Sequence, residues 1–151
     1  MANSYTSLFT HIVFSTHNRV PVLTAALRPQ LWAYMGGIAR ANRIKAISIG
    51  GTADHAQNML VCVPASISIS KVVQLVKGGS SKWVLETVGS LRSFAWQEGY
   101  GAFSIGASQL GDVEEYIARQ EEHHRVKTFQ EEYLKFLKEY KIEYDERYVW
   151  G

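Results

Sequence analysis

The sequence predicts an α+β protein whose antiparallel sheet is of the ferredoxin-like, split βαβ type, with additional C-terminal helices. Two observations predict this fold. Short β-rich segments alternate with segments of helical periodicity in the order strand–helix–strand, strand–helix–strand, and helical segments then follow. An α/β layering of another topology is the main alternative, because the order of the elements does not by itself fix how the strands pair.

The first unit comprises two strands and one helix. Residues 8–14 are rich in β-branched and aromatic side chains, which predicts a strand. Thr24 is a plausible N-cap for a helix that extends to about Asn42, and residues 44–49 predict a second strand. The glycine pair at 36 and 37 lowers the helix propensity by about 1 kcal/mol per residue relative to alanine, unless another element packs closely there.

The second unit contains the most apolar strand. Residues 54–63 end in a run that is apolar on both faces, which indicates a central strand covered on both sides. Helical spacing in residues 66–76 stops at a glycine pair, and residues 80–88 predict a short second helix. Residues 94–96 and 102–105 flank a glycine-rich turn and predict two further short strands.

The size and composition suit one folded domain, spanning residues 1–151. Hydrophobic residues make up 46% of the chain and aromatic residues 12%, and the formal net charge of +2 does not by itself indicate nucleic acid as a partner. The single cysteine, Cys62, excludes an internal disulfide and fits a reducing cytosol. No segment has the composition of a membrane span or a secretion signal, so we expect a cytoplasmic protein without membrane contact.

A helix after the last strand carries the first candidate site. Asp112 and Glu115 have the spacing of a capping box, and the predicted helix continues to Arg125. Tyr116 and Gln120 lie one turn apart on it, near the predicted N-terminus. A phenol can attack a phosphate, an amide oxygen can ligate a hard metal ion, and a helix N-terminus favours an anion. The simpler alternative is a half-buried tyrosine with Gln120 as its hydrogen-bond partner.

A final helix follows, and the tail after it has no predicted structure. Thr128 and Glu131 form a second capping-box pattern at its start. The helix has an apolar stripe that consists of Phe129, Tyr133, Phe136, Leu137 and Tyr140.

A second candidate site lies at the start of the apolar strand. His55 and Gln57 point to the same face of a regular strand because side chains alternate, and their backbones are about 7 Å apart. Both side chains can ligate a divalent ion. A histidine at a strand end is more often simply hydrogen-bonded, so the pattern alone does not establish a metal site.

Five runs of sequence give the chain a resemblance to a known family. They are THIVFST (residues 10–16), GGTADH (50–55), KGGSSKW (77–83), FAWQEGYG (94–101) and YIARQEEHHR (116–125). With these runs the chain resembles, nearly end to end, the single-tyrosine transposases of the HUH class. These are small enzymes that mobilise simple insertion sequences through single-stranded DNA.

The resemblance implies a chemistry and a set of roles. It implies a ferredoxin-like homodimer that recognises DNA hairpins, with Tyr116 as the nucleophile that forms a 5′-phosphotyrosine link and frees a 3′-hydroxyl. It also implies Mg²⁺ or Mn²⁺, held by the histidine pair of the HUH motif and by Gln120. Here the motif reads His55-Ala56-Gln57, so a neutral amide replaces the second imidazole. The chain is therefore either an active variant or a degraded copy that only binds DNA hairpins.

Contacts with DNA would require local positive charge. The candidates are Lys77, Lys82, Arg119 and Arg125, together with Arg40, Arg43 and Lys127. A glycine–serine turn between Lys77 and Lys82 could offer backbone N–H groups to phosphate. Trp83, Trp96 and Phe103 could stack on bases, although core packing is the more common role of such residues. A metal-dependent phosphodiesterase that uses water is a further alternative and would not need the tyrosine.

Overall fold

The structure is a computed structural model that describes residues 4–53, 57–120 and 129–150. Its strands are β1 (Phe9–Phe14), β2 (Lys45–Gly50), β3 (Gln57–Cys62) and β4 (Gly101–Ser104). Its described helices are α1 (Leu27–Ala41), α2 (Ile69–Thr87), α3 (Leu110–Ala118) and α4 (Phe129–Glu139). The strands form one sheet in the order β2-β3-β1-β4, and every neighbouring pair is antiparallel. This order confirms the predicted ferredoxin-like α+β fold.

The sheet separates two hydrophobic layers because side chains alternate along its central strands. Ile12 and Phe14 of β1, with Met59 and Val61 of β3, pack against the buried faces of α1 and α2. Leu60 points the other way and is also fully buried. The prediction that β3 is a central strand covered on both sides is therefore confirmed.

The opposite face of the sheet is covered by α3, α4 and the C-terminal tail. Val13 and Phe103 pack there with Tyr133 and Leu137 of α4. The tail, which has no predicted structure, contributes Tyr144, Val149 and Trp150 to the same cluster. Residues from four separate parts of the chain therefore meet beneath the helices that carry the candidate site.

The predicted break at the second glycine pair is wrong. One continuous helix, α2, runs through Gly78 and Gly79 to Thr87. A Cβ atom built on Gly79 would lie 2.7 Å from Cδ1 of Ile38 in α1. The glycine therefore allows close packing of two helices, which outweighs its low helix propensity.

The predicted strand at residues 94–96 is also wrong, because only a single bridge joins Thr16 and Trp96. Trp96 and Phe103 are buried in the core, and Trp83 stacks on Tyr34 with ring centroids 5.3 Å apart. Trp96 and Phe103 therefore pack in the core, whereas Trp83 is half-buried and packs against the edge of the core beside the exposed Tyr34. None of the described helices combines the length and apolar character that a membrane span requires.

Candidate active site on the face beneath α3 and α4

The helix that carries Tyr116 begins earlier and ends sooner than predicted. It spans Leu110–Ala118, so Tyr116 lies in its last turn rather than near its N-terminus. Asp112 is in the first turn and is not the N-cap, and Gln109 at the N-cap position makes no side-chain capping bond. The predicted capping box is therefore wrong. The prediction that a helix N-terminus favours an anion at Tyr116 is also wrong, because the C-terminal end of a helix carries partial negative charge.

The Tyr116 hydroxyl is held by a carboxylate from α4. Its Oη donates a hydrogen bond of 2.6 Å to Oε2 of Glu132, which is only 6% exposed. Burial, followed by the hydrogen bond to this carboxylate, raises the pKa of Tyr116 well above its ordinary value. The phenol is therefore protonated at neutral pH, and it donates this proton in a hydrogen bond to the Glu132 carboxylate.

Gln120 lies beside the tyrosine, as predicted. Its side chain is 1% exposed, and Nε2 donates to the backbone carbonyl of Tyr116 at 3.2 Å. A hydrogen bond from the Gln120 side chain lowers the pKa of the Tyr116 phenol, against the larger raising effects. Gln120 also lines a cleft of about 420 Å³, which includes Gly50 of β2 and Arg119. The structure therefore brings the predicted tyrosine and glutamine together, and Gln120 lines the adjoining cleft whereas Tyr116 does not.

The close packing of α3 on the sheet depends on a glycine. A Cβ atom on Gly50 would lie 2.8 Å from the backbone oxygen of Ile117, the residue after Tyr116. In the sequence, Gly50 directly follows the predicted strand at residues 44–49. In the structure its missing side chain allows the C-terminal end of α3 to approach β2.

The floor of the site contains a buried polar pair that the sequence analysis missed. His11 of β1 is 3% exposed, and its Nε2 lies 2.7 Å from Oδ1 of Asn58 in β3. Because an amide oxygen only accepts, Nε2 carries the proton. Burial lowers the pKa of His11 to about 4, and the bond to Asn58 only partly offsets this, so the ring is neutral at pH 7. Its centroid lies 6.0 Å from that of Tyr116, edge to face.

The metal ligands predicted from the HUH motif are only partly described. His55 lies outside the described residues, and Gln57 is described as the first backbone position of β3 but not as a side chain. The described residues include no group of three His, Cys, Asp or Glu side chains that could hold a metal ion. Among the predicted ligands, Gln120 is described, and it places an amide beside Tyr116. An amide oxygen is a ligand that Mg²⁺ and Mn²⁺ accept, so this residue fits such an ion.

The predicted DNA-contacting cations have different surroundings. Lys77 Nζ donates to the backbone oxygens of Gln97 at 2.7 Å and Gly99 at 2.6 Å, and burial lowers the pKa of Lys77 to about 8. Lys82 and Arg119 are exposed and form one-turn ion pairs on their own helices. Arg125 and Lys127 lie outside the described residues, whereas Arg40 and Arg43 are exposed at the C-terminal end of α1. The predicted glycine–serine turn is wrong, because this segment is helical and its N–H groups serve α2.

Comparison with known proteins assigns the chain to a family. Residues 4–120 match the family described as "Transposase IS200 like". The chain belongs to the IS200-like transposase family. Comparison with curated protein sequences found no match.

Two solved structures share the fold of this transposase. One is a protein from Deinococcus radiodurans R1 that is assigned as a transposase; it is 18% identical, with a TM-score of 0.66, over 80% of this chain and 95% of that one. The other is a REP-associated tyrosine transposase bound to a REP hairpin; it is 13% identical, with a TM-score of 0.60, over 82% of this chain and 73% of that one. At these identities the likeness concerns the fold.

Three residues of the site were not predicted as functional, and each had a weak signal. His11 is a polar residue inside a run of buried strand positions, and Asn58 is a polar residue that precedes the apolar part of β3. Glu132 lies next to the apolar stripe of α4 rather than on the opposite side of the helix. A polar side chain within an otherwise apolar face is the feature that would have drawn attention to all three.

Proposed function

We propose that this transposase cleaves and rejoins single-stranded DNA through a 5′-phosphotyrosine intermediate, with Tyr116 as the nucleophile. The observation that carries the proposal is the short hydrogen bond from the Tyr116 hydroxyl to the buried Glu132 carboxylate, beside Gln120. Family membership supports the class of reaction. The likeness to a tyrosine transposase bound to a DNA hairpin supports hairpin ends as the substrate.

In the proposed step, the Tyr116 Oη attacks a backbone phosphorus while its proton passes to Oε2 of Glu132. The Oη–P bond forms, the P–O3′ bond breaks, and the O3′ atom takes up a proton to leave as a hydroxyl. One phosphodiester replaces another, so the strand can be rejoined without ATP. A proton acceptor is needed because burial holds the phenol protonated at neutral pH, and a phenol is a weak nucleophile in that form.

The remaining residues hold the nucleophile in place. His11 and Phe136 contact the Tyr116 ring edge to face, at centroid distances of 6.0 and 5.9 Å. Because His11 is neutral and its Nε2 proton is bound to Asn58, it adds no charge beside the scissile phosphate. The proposed role of His11 and Phe136 is to fix the orientation of the Tyr116 phenol before DNA binds.

We further propose that His55, Gln120 and an amide of β3, either Gln57 or Asn58, hold Mg²⁺ or Mn²⁺. When bound, such an ion stabilises the negative charge that develops on the phosphate and orients the scissile bond. Asn58 joins Gln57 as a candidate because its side chain is on the site face, bonded to His11. Amide oxygens hold a divalent ion more loosely than an imidazole pair does, so we expect weak binding.

The second candidate function is a catalytically impaired relative that only binds DNA hairpins. The observation that favours it is the replacement of the second motif histidine by Gln57. Manganese binding that depends on His55 and Gln120 would favour the enzyme. Hairpin binding that is indifferent to metal and to Tyr116 would favour the binding protein.

The test is incubation of the protein with single-stranded oligonucleotides from the ends of the element and Mn²⁺, followed by denaturing electrophoresis. Wild-type protein should form a covalent protein–DNA band, and Tyr116→Phe should form none. Glu132→Gln should form the band much more slowly, because an amide cannot accept the proton. Tyr133→Phe, which removes another buried phenol, is the matched control and should retain the band. A band formed by Tyr116→Phe would refute the assignment of the nucleophile.

A further inference from the structure

The open edge of the sheet carries three cations for which no ion pair exists among the described residues. Arg40 is in the last turn of α1, Arg43 is in the turn that follows, and Lys45 is the first residue of β2. All three are exposed. Backbone hydrogen bonds fix the turn, including Arg43 N to the Arg40 carbonyl at 3.1 Å and Ile44 N to the Ala39 carbonyl at 2.9 Å.

A groove of about 390 Å³ begins at two of these cations, Arg40 and Lys45, and runs along β2. Arg40 and Lys45 line one end of it, Gly36 of α1 lines its side, and Ile49 lines the other end. Ile49 also lines the cleft that contains Gln120, next to Tyr116. The groove and the active-site cleft are therefore adjoining parts of one track along the sheet edge. At about 3.3 Å per residue, β2 is about 17 Å long, which equals about five base-pair steps of a DNA stem.

A partner that binds along this track must be negatively charged, and it must bind without regular strand pairing to β2. The pairing of β2 with β3 shifts register between Ala46 and Ser48, and Lys45 lies on the edge strand. Irregularities and lysines on edge strands hinder the addition of another strand, so the edge is poorly suited to sheet extension by a second copy of the chain. A polyanion needs no strand register and pairs with exposed arginines and lysines through its phosphates.

We infer that Arg40, Arg43 and Lys45 bind the phosphate backbone of the hairpin stem, and that the β2 track directs the adjoining single strand to Tyr116. This inference rests on the proposed function, which supplies DNA as the partner. It selects Arg40 and Arg43 from the predicted DNA-contacting residues, adds Lys45, and assigns to these three the contact with the stem. Backbone contacts position DNA without reading its sequence, so this surface should accept stems of any sequence.

The test compares two triple variants that remove the same charge. R40Q/R43Q/K45Q changes the predicted surface, and K135Q/K138Q/K141Q changes three cations in α4 and the turn after it. Each lowers the formal net charge from +2 to −1, since 2 − 3 = −1. Lys141 and Arg43 both follow a helix with positive φ, 56° and 61°, so the control also matches the backbone conformation.

The readout is binding of a labelled DNA hairpin with a mixed-sequence stem and a single-stranded tail, measured by fluorescence anisotropy in EDTA between about 50 and 200 mM salt. The slope of log K against log salt should become shallower by about 2 to 3 in R40Q/R43Q/K45Q, since each phosphate contact to a duplex contributes about 0.9. The control should keep the wild-type slope. Circular dichroism establishes that both variants are folded.

Three results would overturn the inference: an unchanged slope in R40Q/R43Q/K45Q, an equal change in both triple variants, or a change of oligomeric state, which would assign the groove to a second copy. The binding assay needs no cleavage, so its outcome is separate from the covalent-band test. An unchanged slope together with a covalent band at Tyr116 would refute stem binding by this surface and would still support the proposed reaction. A shallower slope without a band would support the surface and refute strand transfer.

Discussion

Acidification should destabilise the fold through His11. An unfolded histidine has a pKa near 6.5, whereas burial lowers the pKa of His11 to about 4. Above pH 6.5 the ring is neutral in both states and contributes no pH dependence. Below pH 6.5 the unfolded chain binds a proton that the folded chain does not, so stability falls with falling pH until about pH 4. A gap of 2.5 between the two pKa values, at about 1.4 kcal/mol per pH unit, gives a total loss of about 3 kcal/mol.

About 2 kcal/mol of this loss should occur between pH 7 and pH 5. The assay is urea unfolding followed by tryptophan fluorescence at the two pH values, in EDTA, for wild type and His11→Gln. Glutamine can still donate to Asn58 but does not titrate, so the variant should lose about 2 kcal/mol less than wild type over this range. His17→Gln, at an exposed histidine, is the control and should behave as wild type. Equal losses in wild type and His11→Gln would show that His11 is not a buried neutral group.

Three further predictions concern packing, metal and assembly. Gly50→Ala should lower the free energy of unfolding by about 1 to 3 kcal/mol, because the new Cβ would lie 2.8 Å from the Ile117 backbone oxygen. Gly37→Ala is the control: a Cβ there would have nothing within 4 Å, so the substitution should raise the free energy of unfolding by about 1 kcal/mol. Thermal melts measure both variants. Gln57→His or Asn58→His should tighten Mn²⁺ binding in calorimetry, because an imidazole replaces a neutral amide. The variant that binds more tightly identifies the β3 residue that faces the ion. Unchanged affinity in both variants would show that neither residue is a ligand. Light scattering at micromolar concentration should show a homodimer, and a monomer alone would refute this expectation.

The fold could be predicted from the sequence because its signals are local and mutually consistent. The doubly apolar run of β3 indicated a central strand, and the alternation of strands and helices favoured a split βαβ sheet over other topologies. Errors arose where a tertiary contact outweighs a local signal. Gly79 resembles a helix end, but the close approach of Ile38 makes it a helix interior.

The site was predictable only in part, for a related reason. Tyr116 and Gln120 are four residues apart, so helical spacing is enough to place them together. Glu132 is 16 residues from Tyr116, and Asn58 is 47 residues from His11, so these bonds exist only once the sheet and α4 are assembled. Local spacing also placed Tyr116 near the wrong end of its helix, because a capping-box pattern does not ensure that the helix begins there.

The most direct test of strand transfer by Tyr116 is the identification of the residue that becomes joined to DNA. Wild-type protein incubated with a single-stranded end and Mn²⁺ is digested with protease and nuclease, and the nucleotide-bearing peptide is sequenced by mass spectrometry. The nucleotide should be attached through its 5′-phosphate to Tyr116, on the peptide that contains α3, and the cleaved upstream strand should end in a free 3′-hydroxyl. Attachment to another tyrosine, or cleavage that leaves no nucleotide on the protein, would contradict the proposed mechanism.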